Sequence, residues 1–246
     1  MSFRAFLIAA ALMIASASLG CQSGPAPGMA AARVNVIAKP KAGVKPTAFA
    51  HVPTYDGSPS ESVTSSGGGQ YARVDYANLS DIIVWLEPTK PFSSSAKPAI
   101  EVDVDPKRPD QTVRPVSVGQ VVTFHNRSAR PLPLYSVSDG NDFELPPIAP
   151  GATASFTARS EGLIELLSNP AEPPIAQLYA APSPFVTRTR SGKSASFNNV
   201  PPGPYRVVSW HPRLPSSSTN LDLQQGKVSE STITVGVDAM RQASSR

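Results

Sequence analysis

The chain has 246 residues, of which 40% are hydrophobic and 16% charged, a globular rather than disordered balance. Its net charge of +4 comes from scattered basic residues; the densest group, Arg188, Arg190 and Lys193, is interrupted by Thr, Ser and Gly and reads as a solvated loop. Nucleic acid is therefore excluded as a partner, because its binders concentrate cations on a face or in runs. The 27 prolines disfavour helices and are tolerated in turns and at sheet edges.

The N-terminus reads as a targeting segment. Met1 to Arg4 form a positive start, Phe6 to Ala15 an apolar run too short to span a bilayer, and small residues follow up to Gly20 and Cys21. This resembles the lipobox of bacterial lipoproteins, although Ser18 stands where that motif usually has Leu. The resemblance implies cleavage before Cys21 and acylation of its thiol, which also accounts for a lone cysteine in an exported chain. An ordinary secretory leader with a free Cys21 is the alternative. Gln22 after the cysteine suggests, by resemblance to lipoproteins of Gram-negative bacteria, the outer membrane, with the body in the periplasm or at the cell surface.

Residues 21–70 are rich in Pro, Gly, Ala and Ser and end in Ser65-Ser66-Gly67-Gly68-Gly69. They read as a flexible tether, with Val34 to Ile37 able to pair as a stray strand. His51 falls within it and reads as solvated. Beyond Tyr71 the periodicity becomes two. Strands are expected at Ile82–Glu87, Ile100–Val104, Val121–Asn126, Leu134–Val137, Ala154–Ala158, Leu163–Leu167, Ile175–Ala180, Phe185–Thr189, Tyr205–Trp210 and Thr232–Val237, separated by turns such as Asp139-Gly140 and Pro150-Gly151. No window offers a helix, so the fold class is all-β.

Several stretches together resemble a family. Ile82-Ile83-Val84-Trp85-Leu86-Glu87, the run from Pro115 through Phe124-His125-Asn126, and Gly162-Leu163-Ile164-Glu165-Leu166-Leu167-Ser168-Asn169 resemble plastocyanin-like cupredoxins of the exported, methylamine-utilisation type. Phe197 to Tyr205, with its Pro201-Pro202-Gly203-Pro204 turn, and Trp210-His211 resemble a transthyretin-like or carboxypeptidase-regulatory-like β unit. The resemblance implies a cupredoxin-like antiparallel β-sandwich over 71–182 joined to a small transthyretin-like sandwich over 183–240, after a leader over 1–20 and the tether over 21–70.

The family's copper is held by two imidazoles, a thiolate and a weak axial Met. Matched onto this chain, those positions fall on Leu132, Ala171, Ser168 and Pro174. All four ligands are replaced, so no metal or other cofactor is expected.

The remaining chemistry is sparse. His125 and His211 read as edge or loop histidines, and Trp85 and Trp210 as packing residues. Asp103 and Asp105, two apart on a strand, share its solvent face. Ser94-Ser95-Ala96-Lys97 matches a serine acyl-transfer motif but sits in a Ser-rich loop with no companion motif. The expectation is a non-catalytic lipoprotein acting as a binding or scaffold module, its partners the membrane and either an envelope protein or a polysaccharide. The alternative, implied by the resemblance, is a periplasmic copper electron-transfer protein.

Overall fold

The computed structural model describes residues 24–40, 74–90 and 97–236. The leader, Cys21, His51 and Ser94 lie outside them. Every regular element among the described residues is a strand: β1 Ala30–Ala38, β2 Ile82–Pro88, β3 Ile100–Val104, β4 Asp110–Ser117, β5 Val121–Asn126, β6 Leu132–Ser136, β7 Phe143–Ile148, β8 Thr153–Thr157, β9 Gly162–Leu166, β10 Ala176–Ala181, β11 Val186–Thr189, β12 Lys193–Val200, β13 Gly203–His211, β14 Leu214–Leu223 and β15 Val228–Val235.

These strands make two sandwiches. In the first, the sheets β3-β5-β8 and β4-β10-β9 enclose a core of Val102, Val116, Val122, Phe124, Leu134, Ile164, Leu166 and Leu178. The hairpin β6-β7 joins the second of these sheets through Tyr135 and Leu167, which exchange backbone hydrogen bonds of 3.0 and 2.9 Å. In the second sandwich, sheet β12-β1-β15 packs on sheet β11-β2-β13-β14 around Val34, Val36, Ile82, Val84, Leu86, Val207, Leu223 and Ile233. The all-β expectation holds. Three pairs nevertheless run parallel: β1 with β15, β4 with β10, and β3 with β5.

The second sandwich is assembled from both ends of the chain, and this corrects two expectations. Ala30–Ala38 was expected to lie within a tether, but it is the middle strand of its sheet, hydrogen-bonded to β12 on one side and β15 on the other. Ala30, Ala32, Val34 and Val36 are buried, while Arg33 faces out and meets Glu230 at 3.3 Å. A strand at Ile82–Glu87 was expected in the cupredoxin-like unit; β2, which covers it, pairs instead with β11 and β13. The reason is visible in its composition. Ile82, Val84 and Leu86 enter the second core, while Ile83 and Trp85 point the other way and are equally buried. A strand apolar on both faces needs a layer on each side, and here the other sandwich supplies the second layer.

That contact is the joint of the molecule. Ile83, Trp85 and Val208 from one sandwich pack on Val113, Tyr179 and Ala181 from the other. The Tyr179 ring lies 5.6 Å from Trp85 and 4.2 Å from Trp210, centroid to centroid. The crossing from β10 to β11 is clamped by Ser183, whose Oγ donates to the Leu86 carbonyl and accepts from the Phe185 amide at 3.1 Å.

Candidate functional site

Two places in this body could carry chemistry: the end of the β3–β10 sandwich where the resemblance puts copper, and the joint. At the first, Asn126 organises the backbone. It is fully buried, and its Nδ2 donates to the carbonyls of Arg130 at 2.8 Å and Ile148 at 2.7 Å. Its Oδ1 accepts from the Ser128 amide and hydroxyl at 2.8 and 2.7 Å. The loop leading into β6 is thus held firmly, but what it presents is Leu132, 3% exposed and part of the apolar core.

The β9–β10 connection is closed on itself. Asn169 Oδ1 accepts from the Ala171 amide at 3.0 Å, and the Asn169 carbonyl from the Glu172 amide at 3.1 Å. Ser168 is half-buried, Ala171 exposed, and Pro174 offers only its carbonyl, which accepts from Gln111 Nε2 at 3.1 Å. Copper of this kind needs imidazole nitrogen and thiolate sulfur; these four residues offer hydrocarbon and one neutral hydroxyl. They do not fit the metal. Among the described residues, no group of three or more His, Cys, Asp or Glu is placed to hold a metal ion.

The two histidines stand in different sandwiches. His125, on β5, has Nε2 buried and 3.6 Å from Glu101 Oε2, with no hydrogen bond. His211 ends β13 and is buried, its Nδ1 accepting from the Arg213 amide at 3.1 Å. Burial, then the Arg213 guanidinium, pushes its pKa down to about 4 against weaker opposing pulls from Asp81 and the Ser80 backbone. It is a neutral turn-closing group. Asp103 is exposed and pairs with Arg127 at 2.8 Å, while Asp105 Oδ1 accepts from the Lys107 amide at 3.0 Å in a turn. Arg188 pairs with Asp81 at 3.2 Å, and Lys97 is partly buried, which lowers its pKa.

At the joint, the outer face of β2-β13-β14 leaves a cleft of about 260 Å³ against the turn before β9. Trp85 and Val208 give it an apolar surface; Glu87, Arg206, Ser216 and Ser218 line one side and Glu161 and Pro182 the other. Arg206 Nε and Nη2 both reach the same oxygen of Glu87, Nε at 2.7 Å, leaving Nη1 and the second carboxylate oxygen to other partners. Glu161 accepts from the Tyr179 hydroxyl at 3.3 Å, and burial followed by the Glu161 charge pushes that phenol's pKa up. Trp85 Nε1 and Ser217 Oγ, both in lining residues, are buried with no hydrogen-bond partner among the described residues. Ser209 Oγ, on the residue paired with Ser217 across β13 and β14, shares that state. Ser209 pairs with Val84, so the two serine hydroxyls share the inner face with the second core, and only Trp85 Nε1 belongs to the cleft side. Each such atom costs about 1–3 kcal/mol.

Neither Glu161 nor the Ser216–Ser218 run was singled out from the sequence. The serines break the apolar alternation that reveals a strand, and Glu161 enters only through tertiary packing. Trp85 and Trp210 are packing residues, as read, but their partner is the other sandwich.

No family model and no curated protein matches the chain. Among solved structures it is similar to amicyanin variants. One Cu(I) form is 23% identical with a TM-score of 0.29, and a second is 22% identical with a TM-score of 0.30. An oxidised variant gives 22% and 0.29. Each alignment covers 40% of this chain and 98% of amicyanin.

Proposed function

We propose that this chain is a non-catalytic binding or scaffold module of the cell envelope, exported and held to a membrane by acyl chains on Cys21. We infer further that the β3–β10 sandwich is a cupredoxin-like scaffold that no longer carries copper. The observation that carries the reading is Leu132: where the resemblance puts an imidazole, an aliphatic side chain is sealed into the core. A loop held this firmly by Asn126 without a donor to present serves shape rather than electron transfer. The cleft at the joint, lined by carboxylates, a guanidinium and hydroxyls, is the contact point we assign to the partner, an envelope protein or a polysaccharide.

Two measurements test this. Copper added to the purified protein leaves it without the intense visible absorption of a blue copper centre; a stoichiometric coloured complex refutes the reading. Cross-linking in native envelopes captures a partner with the parent protein and several-fold less with Ser218→Trp, which fills the cleft. Equal capture by both removes the cleft from the account.

A further inference from the structure

The correction at β1 changes where the body stands relative to its anchor. The long Pro/Gly/Ser-rich stretch, residues 41–73, lies between β1 and β2 and not between Cys21 and the first strand. The body is already engaged at Ala26, whose amide donates to Asn199 Oδ1 at 2.9 Å, and at Met29, whose carbonyl accepts from the Gly226 amide at 2.8 Å. From Cys21 to Ala26 is about five residues, at most roughly 17 Å of extended chain. A spacer of 50 residues would let the body roam; this one fixes which end faces the bilayer.

We propose that the end of the second sandwich formed by the β12–β13 turn, the β14–β15 turn and the exit of β2 lies against the lipid surface. The inference rests on the anchoring of Cys21 proposed above. The chemistry of that end suits it. Residues 24–29, 88–90, 198–204 and 224–228 contain no carboxylate. They include Lys90 and Lys227, the exposed Val228 (49% exposed) and a run of prolines. Anionic headgroups attract lysines placed at the surface and repel carboxylates. The opposite end, where β1 leaves at Ala38 and β12 begins at Lys193, also carries cations, with Lys39, Arg190, Lys193 and Arg213 beside the Asp81–Arg188 pair, so the choice of end rests on the short link to Cys21 and not on charge.

The test uses the full-length lipidated protein, in which acylated Cys21 leaves no other native thiol. Lys227→Cys and Lys193→Cys each add one labelling site on an exposed lysine. The register sets the two labels about five residues apart along β1, since Ala31 pairs with Val228 and Val36 with Lys193; that is roughly 17 Å at the rise of a strand. Each protein is labelled with a thiol-reactive fluorophore and reconstituted into phosphatidylethanolamine–phosphatidylglycerol vesicles carrying a headgroup nitroxide. We expect the label at position 227 to be quenched at least about two-fold more than the label at 193, as a step of that size requires when quenching acts over a few ångströms beyond contact. Equal quenching overturns the proposal. Intact mass separates the two ways of failing. An acylated protein with equal quenching defeats the orientation alone, whereas a protein without the acyl mass defeats the anchor and the orientation with it.

Discussion

The two sandwiches are made from the chain in opposite ways. The β3–β10 sandwich is a single continuous stretch, Ile100 to Ala181, whose strands pair within it, the farthest being β4 with β10, where Asp110 meets Ala176. The other is closed by β1 and β2 from one end of the chain and β11–β15 from the other, with the first sandwich inserted between them. The difference teaches that a strand's role in the second sandwich is set by distant partners. β1 meets β12 and β15, more than 150 residues away, as the Ala30–Val200 and Ala31–Val228 pairs record.

The hardest blow to this picture is a charge in β1. Val34 is fully buried between the sheets, and Val34→Asp should cost more than about 4 kcal/mol, in the range reserved for unpaired buried charge. Denaturant melting followed by tryptophan emission should show the second sandwich lost; a cost under about 1 kcal/mol would mean that the segment is the tether its composition suggests.

A paired comparison sharpens the role of the joint. Trp85→Ala and Phe124→Ala should each cost about 3–5 kcal/mol. Because Trp85 packs across to Tyr179, its loss should split calorimetric unfolding into two transitions. Phe124 stacks within its own sandwich, 6.1 Å from Phe143, and its loss should lower one half without that separation.

Acid addresses the second sandwich alone through His211. Its pKa is about 4 in the folded chain and near 6.5 when unfolded. Between those values the unfolded chain binds the proton and the folded chain does not. Stability from this group is therefore complete above about pH 6.5 and falls by on the order of 3 kcal/mol as pH drops toward 4. Urea midpoints measured across that window should slope downward with acid, and His211→Gln should flatten the slope. The smallest effect belongs to the rim of the cleft. Arg206 is half exposed, and Arg206→Gln should change stability by no more than about 1 kcal/mol, so that any larger loss of partner capture reports on binding.

What was legible in the sequence follows the same division. The inner strands β2, β5, β10 and β13 alternate or run apolar and stand where periodicity puts them. The strands that escaped it are β4, β7, β12 and β14, each at the edge of its sheet. Edge strands tolerate Pro115, Pro146 and Pro147, and they present polar residues such as Ser216 and Ser218 to water. β1 was legible only in part, as a stray strand at Val34 to Ile37: Ala30 to Ala32 are small enough to read as linker, and only the sheet around them makes them core. That Leu132, Ser168, Ala171 and Pro174 offer neither imidazole nor thiolate was readable residue by residue, because it depends on side-chain type. The cleft was not, since Glu87, Arg206 and Glu161 meet only after two sandwiches pack.

Hydrogen exchange at β1 tests the assembly most directly. If Ala30–Ala38 is the middle strand of its sheet, the Val34 and Val36 amides exchange with the slowest class in the protein, alongside those of Val207 in β13. Exchange of Val34 and Val36 at the rate of an unstructured peptide would contradict it, and the closed second sandwich and the orientation proposed from it would fall together.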